Sequence, residues 1–391
     1  MLTTWVARRW RAVAGAAALS MAMLASPANA GEKRAIGFAG IAYTGSEAAV
    51  EQRFPHVSAA IAAVGPVAYR SRLVQAFHAR PPRHFELLPD DQLQRLDGVG
   101  SSTVMAIALD RETTSVERID GRWKVLFEVA AQALFFDFRE KQVLFSYPIT
   151  VQYVDVLDAE PRDADLRAMA KRLVEGGGVS GLLSVVPTEL EHLALPEASS
   201  RRLQVAEVAL ADVARSKLSA RHRDADLVAH EFSKVFASTL RLPMLPHATG
   251  QAVGGAMSGR FADGAAFRLR IPEADYRISV RLDDFREKSL AEQGGFRQQL
   301  YGAFFHVRVE EPMSARGYFD QSLRQGSTKA IPDSQDLVDS EAAYYETLLA
   351  GFASLAQSID GGAKPWASEQ PGGRAFTQEL KSLKELIGQC R

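Results

Sequence analysis

Short apolar runs and amphipathic stretches alternate along this chain, and the alternation happens twice. Residues 35–41 (AIGFAGI) and 206–213 (AEVALADV) are apolar or alternating runs, each followed by a segment with helical spacing. Period-two alternation, the mark of a half-buried strand, appears at 104–110 (VMAIALD) and returns about 173 residues later at 277–283 (RISVRLD). Both runs end in an acid, Asp110 and Asp283. The strongest pair comes next: 127–138, a polar turn at 139–141 and 143–153, against 300–309, a turn at 310–312 and 315–323. Each reads as a long antiparallel hairpin of aromatic-rich strands.

A helix follows each hairpin. The first covers 163–174, introduced by Pro161 and stopped by glycines 176–178; the second covers 336–359, with Leu337, Tyr344, Tyr345, Leu348, Leu349 and Phe352 on one face. Earlier in each unit stand a helix at 47–64 interrupted at Pro55, with a strand at 85–88, and a helix at 225–239 with a strand at 240–245. A nearly constant offset across strands, hairpins and helices predicts an internal duplication. The expected fold class is α/β (α+β): two similar mixed-sheet domains, each with a late antiparallel hairpin and a terminal helix. The expected boundaries are 31–178 and 205–360, joined by a linker at 179–204 with little core of its own. A Gly-rich loop at 250–264 is extra to the second unit. Residues 361–391 read as a Gly/Pro spacer and a short helix at 377–387, whose Leu380, Leu383, Leu386 and Ile387 stripe would dock on the body or on a partner.

Residues 1–30 have the three parts of a cleavable secretory signal: Arg8, Arg9 and Arg11, an apolar stretch from 12 to 24, and Ala28-Asn29-Ala30 at the cut. The apolar stretch is shorter than the roughly 20 residues that span a bilayer. No Cys follows Ala30, so the expected product is periplasmic, soluble and unlipidated, without stable membrane insertion. The single cysteine, Cys390, allows no internal disulfide and reads as part of a tail. A formal net charge of −1 gives no polyanion-binding bias, so no nucleic-acid partner is expected.

Catalytic signatures do not form in the sequence. His230-Glu231 begins an H-E-x-x-H pattern, but position 234 is Lys, so the second imidazole of a zinc-binding pair is missing. Ser258 misses the nucleophile-elbow spacing, and Gly37, Gly40 and Gly45 form neither dinucleotide nor phosphate loops. His78, His84 and His222 read as solvated loop residues. Asp110 and Asp283 read as polar strand ends facing water, in different units. No catalytic residue, metal or cofactor is therefore expected, and the binding residues stay unassigned.

In element order the chain resembles the small periplasmic α/β domains of the TolB amino-terminal part, the lipoproteins that activate penicillin-binding proteins, and CsgG. The opening strands AIGFAGI and EVALADV and the late strands RISVRLDDF and AFFHVRV carry the resemblance. It implies a non-enzymatic module that binds an envelope protein or cell-wall component and assists an assembly, secretion or transport system. A solute-binding protein with a ligand cleft between two domains is the first alternative, and an envelope hydrolase with scattered site residues the second.

Overall fold

The computed structural model describes residues 33–390, except 46, 89–101, 177, 179, 198–199, 220–221, 248–255 and 336. The signal-peptide reading therefore lies outside the described residues. Residues 34–391 group into one compact unit. Among the described residues, no helix is long and apolar enough to cross a membrane.

The first half runs β1 (Arg34–Thr44), α1 (Glu47–Arg53), α2 (Val57–Val64), α3 (Pro66–Ala79), β2 (Phe85–Leu88), β3 (Thr103–Ile119), β4 (Arg122–Asp137), β5 (Gln142–Leu157) and α4 (Asp163–Glu175). Its strands lie in the order β2-β1-β3-β4-β5, with β1 parallel to β2 and β3, and β3, β4 and β5 antiparallel. After α5 (Leu182–Leu190), the second half runs β6 (Leu203–Leu210), α6 (Asp212–Ser216), α7 (Ala225–Leu240), β7 (Ala256–Phe261), β8 (Ala266–Arg270), β9 (Tyr276–Gln293), β10 (Phe296–Glu311), β11 (Arg316–Pro332) and α8 (Ser340–Ile359). Its sheet has the order β6-β9-β10-β11, with β6 parallel to β9 and the rest antiparallel. Leu245 adds a parallel bridge to Gln204 where the first half has β2, and Met244 an antiparallel one to Ser146, so the expected strand at 240–245 shrinks to two isolated bridges.

The halves share irregularities as well as order. A β-bulge inserts one extra residue into a strand and re-aims the side chains around it. In the first half the unpaired residues are Ala39, Asp110 and Leu144; in the second Ala206, Asp283 and Tyr318 stand at matching places, and Leu290 is a further one. Both β3–β4 and β9–β10 turn through two consecutive positive-φ residues, Asp120-Gly121 and Gly294-Gly295. That geometry matches the twist of paired strands and favours glycine.

Three expectations change. Asp110 and Asp283 are not strand ends: β3 and β9 continue to Ile119 and Gln293, and each aspartate is the bulged residue. The bulge breaks the alternation, which makes the strand look finished. The turn expected at 310–312 falls at 312–315, because β10 pairs with β11 out to Glu311. The segment expected as a linker contains α5, whose Leu182, Val186 and Leu190 are fully buried in the first-half core. Pro187 sits inside that helix, and a proline in mid-segment reads as a loop.

The helices of each half cover one sheet face. Phe38, Met105, Ile107, Phe127, Phe135 and Tyr147 pack beneath α2 to α5. Val205, Ile278, Tyr301, Phe305 and Val307 pack beneath α7, α8 and α10 (Gly373–Gly388). Helix α7 is buried almost all round and joins the two cores: Val228, Phe232 and Phe236 belong to the second-half core and Ala237 to the first. A short α9 (Lys364–Ser368) replaces part of the expected spacer, and α10 docks on the body through Phe376, Leu383, Leu386 and Ile387. Cys390 is likewise no loose tail residue: it is buried in this core, and burial pushes its thiol up to about 12.

The second face of the first sheet is closed by second-half elements. Hairpin β7–β8 joins β8 to β5 at Gln142–Arg270 and returns β7 to β1, antiparallel, over Ala42 to Thr44. The strands β1-β3-β4-β5-β8-β7 thus form a ring. Val104, Ala106, Leu134 and Phe136 face Leu245, Leu269 and Ile271 across it. Much of the stretch expected as a Gly-rich loop is this hairpin.

Candidate functional site

A cavity of about 290 Å³ opens where α7 crosses this second face of the first sheet. Both halves contribute. Thr44, Asp110, Gln132 and Ser146 come from β1, β3, β4 and β5; Leu227, His230 and Ser233 come from α7, with His247 beyond it and Ser258 on β7. Asp224 caps α7 by accepting from the Asp226 amide at 2.9 Å, which sets the helix start over the sheet. Successive turns of α7 then present Leu227, His230 and Ser233 on one side.

The bulge in β3 places Asp110 in the wall of this cavity. Gln132 Nε2 donates to Asp110 Oδ1 at 3.0 Å and to Oδ2 at 3.2 Å. His230 Nδ1 lies 3.0 Å from Asp110 Oδ2, and the two side chains are only 10% and 15% exposed. A carboxylate only accepts, so in a neutral ring this contact favours the tautomer with its proton on Nδ1 and Nε2 as an acceptor. Nε2 is buried and has no hydrogen-bond partner. The hydroxyls of Ser233 and Thr44, also in the cavity wall, are buried without partners too. A buried polar atom without a partner costs roughly 1–3 kcal/mol, so three in one wall are a cluster that calls for an explanation.

The charges around the cavity are mostly paired. Arg111 forms an ion pair with Asp224. His247 reaches the Val205 carbonyl at 2.6 Å with Nδ1 and Asp226 at 3.5 Å with Nε2. Arg53, at the end of α1, lines the cavity and has no ion-pair partner among the described residues.

The residues singled out in the sequence separate into those the fold gathers and those it does not. Asp110, His230 and Ser258 line the same cavity. Asp283, the counterpart of Asp110, lies on the other sheet and pairs with Arg281 at 2.6 Å. His222, expected as a solvated loop residue, is instead buried, contacts Glu341 and lies tilted against Tyr345 with ring centroids 4.5 Å apart. Burial opposes ionisation of Glu341, but the Ser219 hydroxyl and amide together with His222 outweigh it and hold the carboxyl below its ordinary value. Among the described residues no His, Cys, Asp and Glu set of three or more is placed to hold a metal. Sequence reasoning missed Gln132, Thr44, Ser233 and Arg53; Gln132 alone left a signal, as a polar residue within the apolar run of β4.

No family model and no curated protein matches the chain. Among solved structures it is similar to a minor lipoprotein from Acinetobacter baumannii, at 11% identity over 43% of this chain and 97% of that one, with a TM-score of 0.18. It is also similar to a Xanthomonas campestris protein of the DUF330 family, at 12% identity over 41% of this chain and 82% of that one, with a TM-score of 0.19. Fold and site by themselves define the class: an α/β protein of two like-ordered sheets with an open cavity lined by both halves.

Proposed function

We propose that this is an exported, non-catalytic binding protein of the cell envelope that takes a small polar molecule into the cavity between its halves. One observation carries the reading: the buried, partnerless Nε2 of His230, held by Asp110 in a cavity wall built from both halves. Binding sites are concave and carry a few convergent polar groups, commonly where two structural units meet. The charged, apolar and small-residue segments before Gly31 support export, and the resemblance in element order to periplasmic α/β modules supports an envelope role. The cavity favours a small ligand over a scaffold that works only through its outer surface.

A thermal-shift screen of the chain from Gly31 onward against small metabolites tests this. At a hundredfold excess over Kd a ligand adds about 2.7 kcal/mol of stability, which raises the melting temperature by several degrees. Ser233→Leu fills the cavity and removes a partnerless buried hydroxyl. The variant should melt no lower than the parent and lose the ligand response. A screen without any stabilising compound, together with capture of one envelope protein at the outer surface, would favour the scaffold. Turnover of the stabilising compound, lost in His230→Ala, would favour the hydrolase.

A further inference from the structure

We infer that the ligand is a small hydroxylated anion, of the hydroxy-carboxylate or sugar-acid class; this rests on the cavity being a ligand site, as proposed above. The negative charge follows from the ion-pair pattern of the wall. Asp110 is engaged by His230 and Gln132, Arg111 by Asp224, and Asp226 by His247. Arg53 is the lining cation with no counter-ion among the described residues, and its planar fork suits a carboxylate. An anion placed there gives Arg53 a counter-ion, which a neutral or cationic ligand does not.

The hydroxyl groups follow from the three partnerless atoms. Nε2 of His230 accepts a hydrogen bond, and the Thr44 and Ser233 hydroxyls both donate and accept. Ligand hydroxyls can do the same and match all three in kind. A plain alkyl carboxylate would satisfy Arg53 and leave the other three bare. At about 290 Å³ the cavity lies at the lower edge of the range for drug-sized ligands, which suits a molecule of hexose size or smaller.

Calorimetric titration of the chain from Gly31 onward with three matched six-carbon probes, supplemented by glycerate, tartrate and galacturonate, tests the assignment. Gluconate carries charge and hydroxyls, hexanoate charge alone, and sorbitol hydroxyls alone. At least one hydroxylated acid should bind ten times tighter than both hexanoate and sorbitol. Arg53→Gln should lower that affinity tenfold or more without changing the melting temperature of the free protein, and His230→Ala should lower it as well. If a neutral sugar or an amine binds tightest, and Ser233→Leu abolishes that binding, the class is overturned while the cavity remains a ligand site. If the hydroxylated acid binds equally well to Ser233→Leu, the ligand lies elsewhere and both readings fall.

Discussion

Phe232→Ala should destabilise the protein by about 3–5 kcal/mol and do so in both halves at once. Phe232 is fully buried on α7, stacked on Phe236 at 4.2 Å and edge-on to Phe352 at 4.8 Å. Truncation removes its contacts to α8 and leaves a void that the packed helices cannot close, so both the transfer and cavity terms apply. The effect spreads because α7 is shared. One side packs on β6 and α8, and Ala237 reaches the first-half core. Trp123 on β4 and Trp366 on α9 report the two halves separately. Urea unfolding followed at each, with the other replaced by Phe, should give one midpoint that shifts equally. A first-half midpoint left in place would show that the halves unfold independently. Val213→Ala, at a half-exposed site on α6, is the control and should stay within about 0.5 kcal/mol.

The second large effect is expected at Gly181, the residue before α5. A Cβ built there would sit 2.3 Å from the Leu173 carbonyl oxygen and 3.0 Å from its carbon, both backbone atoms of α4. Neither can rotate away. Gly181→Ala must push α5 from α4 and loosen Leu182, Val186 and Leu190 in the core, at a cost of about 3 kcal/mol, the upper end of overpacking penalties. Gly317→Ala, where a Cβ meets nothing within 4 Å, should be close to neutral. Chemical denaturation of the two variants side by side measures the difference. Equal stability would mean that the segment between the sheets is the spacer its sequence suggests.

Much of this fold is legible in the sequence because strands and helices advertise themselves through periodicity. The hairpins expected at 127–153 and 300–323, which extend in the structure to 122–157 and 296–332, the helix at 163–174 and the stripe on the last helix all follow from spacing. Features that break periodicity are where the reading goes astray. The residue that bulges at Asp110 flips the alternation of β3, so its second half, Arg111 to Ile119, does not read as a continuation. Hairpin β7–β8 is rich in Gly and Arg, and it holds its place through strand pairing to β1 that no local pattern announces.

The site is harder to read than the fold. Asp110 and His230 belong to different halves, and each has an ordinary local setting, a strand and an amphipathic helix. Their meeting depends on α7 and hairpin β7–β8 folding back over the first sheet, which is a property of the long-range topology. The shared bulge is the one hint, since Asp110 and Asp283 both follow a Leu in equivalent strands. Only Asp110 became part of a cavity, because only the first sheet is covered on that face by the other half.

The direct test of the account is the protonation pattern of the His230 ring and its response to ligand. In 15N-labelled protein at pH 8, two-bond proton–nitrogen correlation separates protonated from bare ring nitrogens. A proton on Nδ1, held by Asp110, a bare Nε2, and a shift of the Nε2 resonance as a stabilising compound is titrated in are expected. Asp110→Leu should remove the tautomer preference. A proton on Nε2 in the parent protein, or an Nε2 resonance unmoved at saturating ligand, would contradict it.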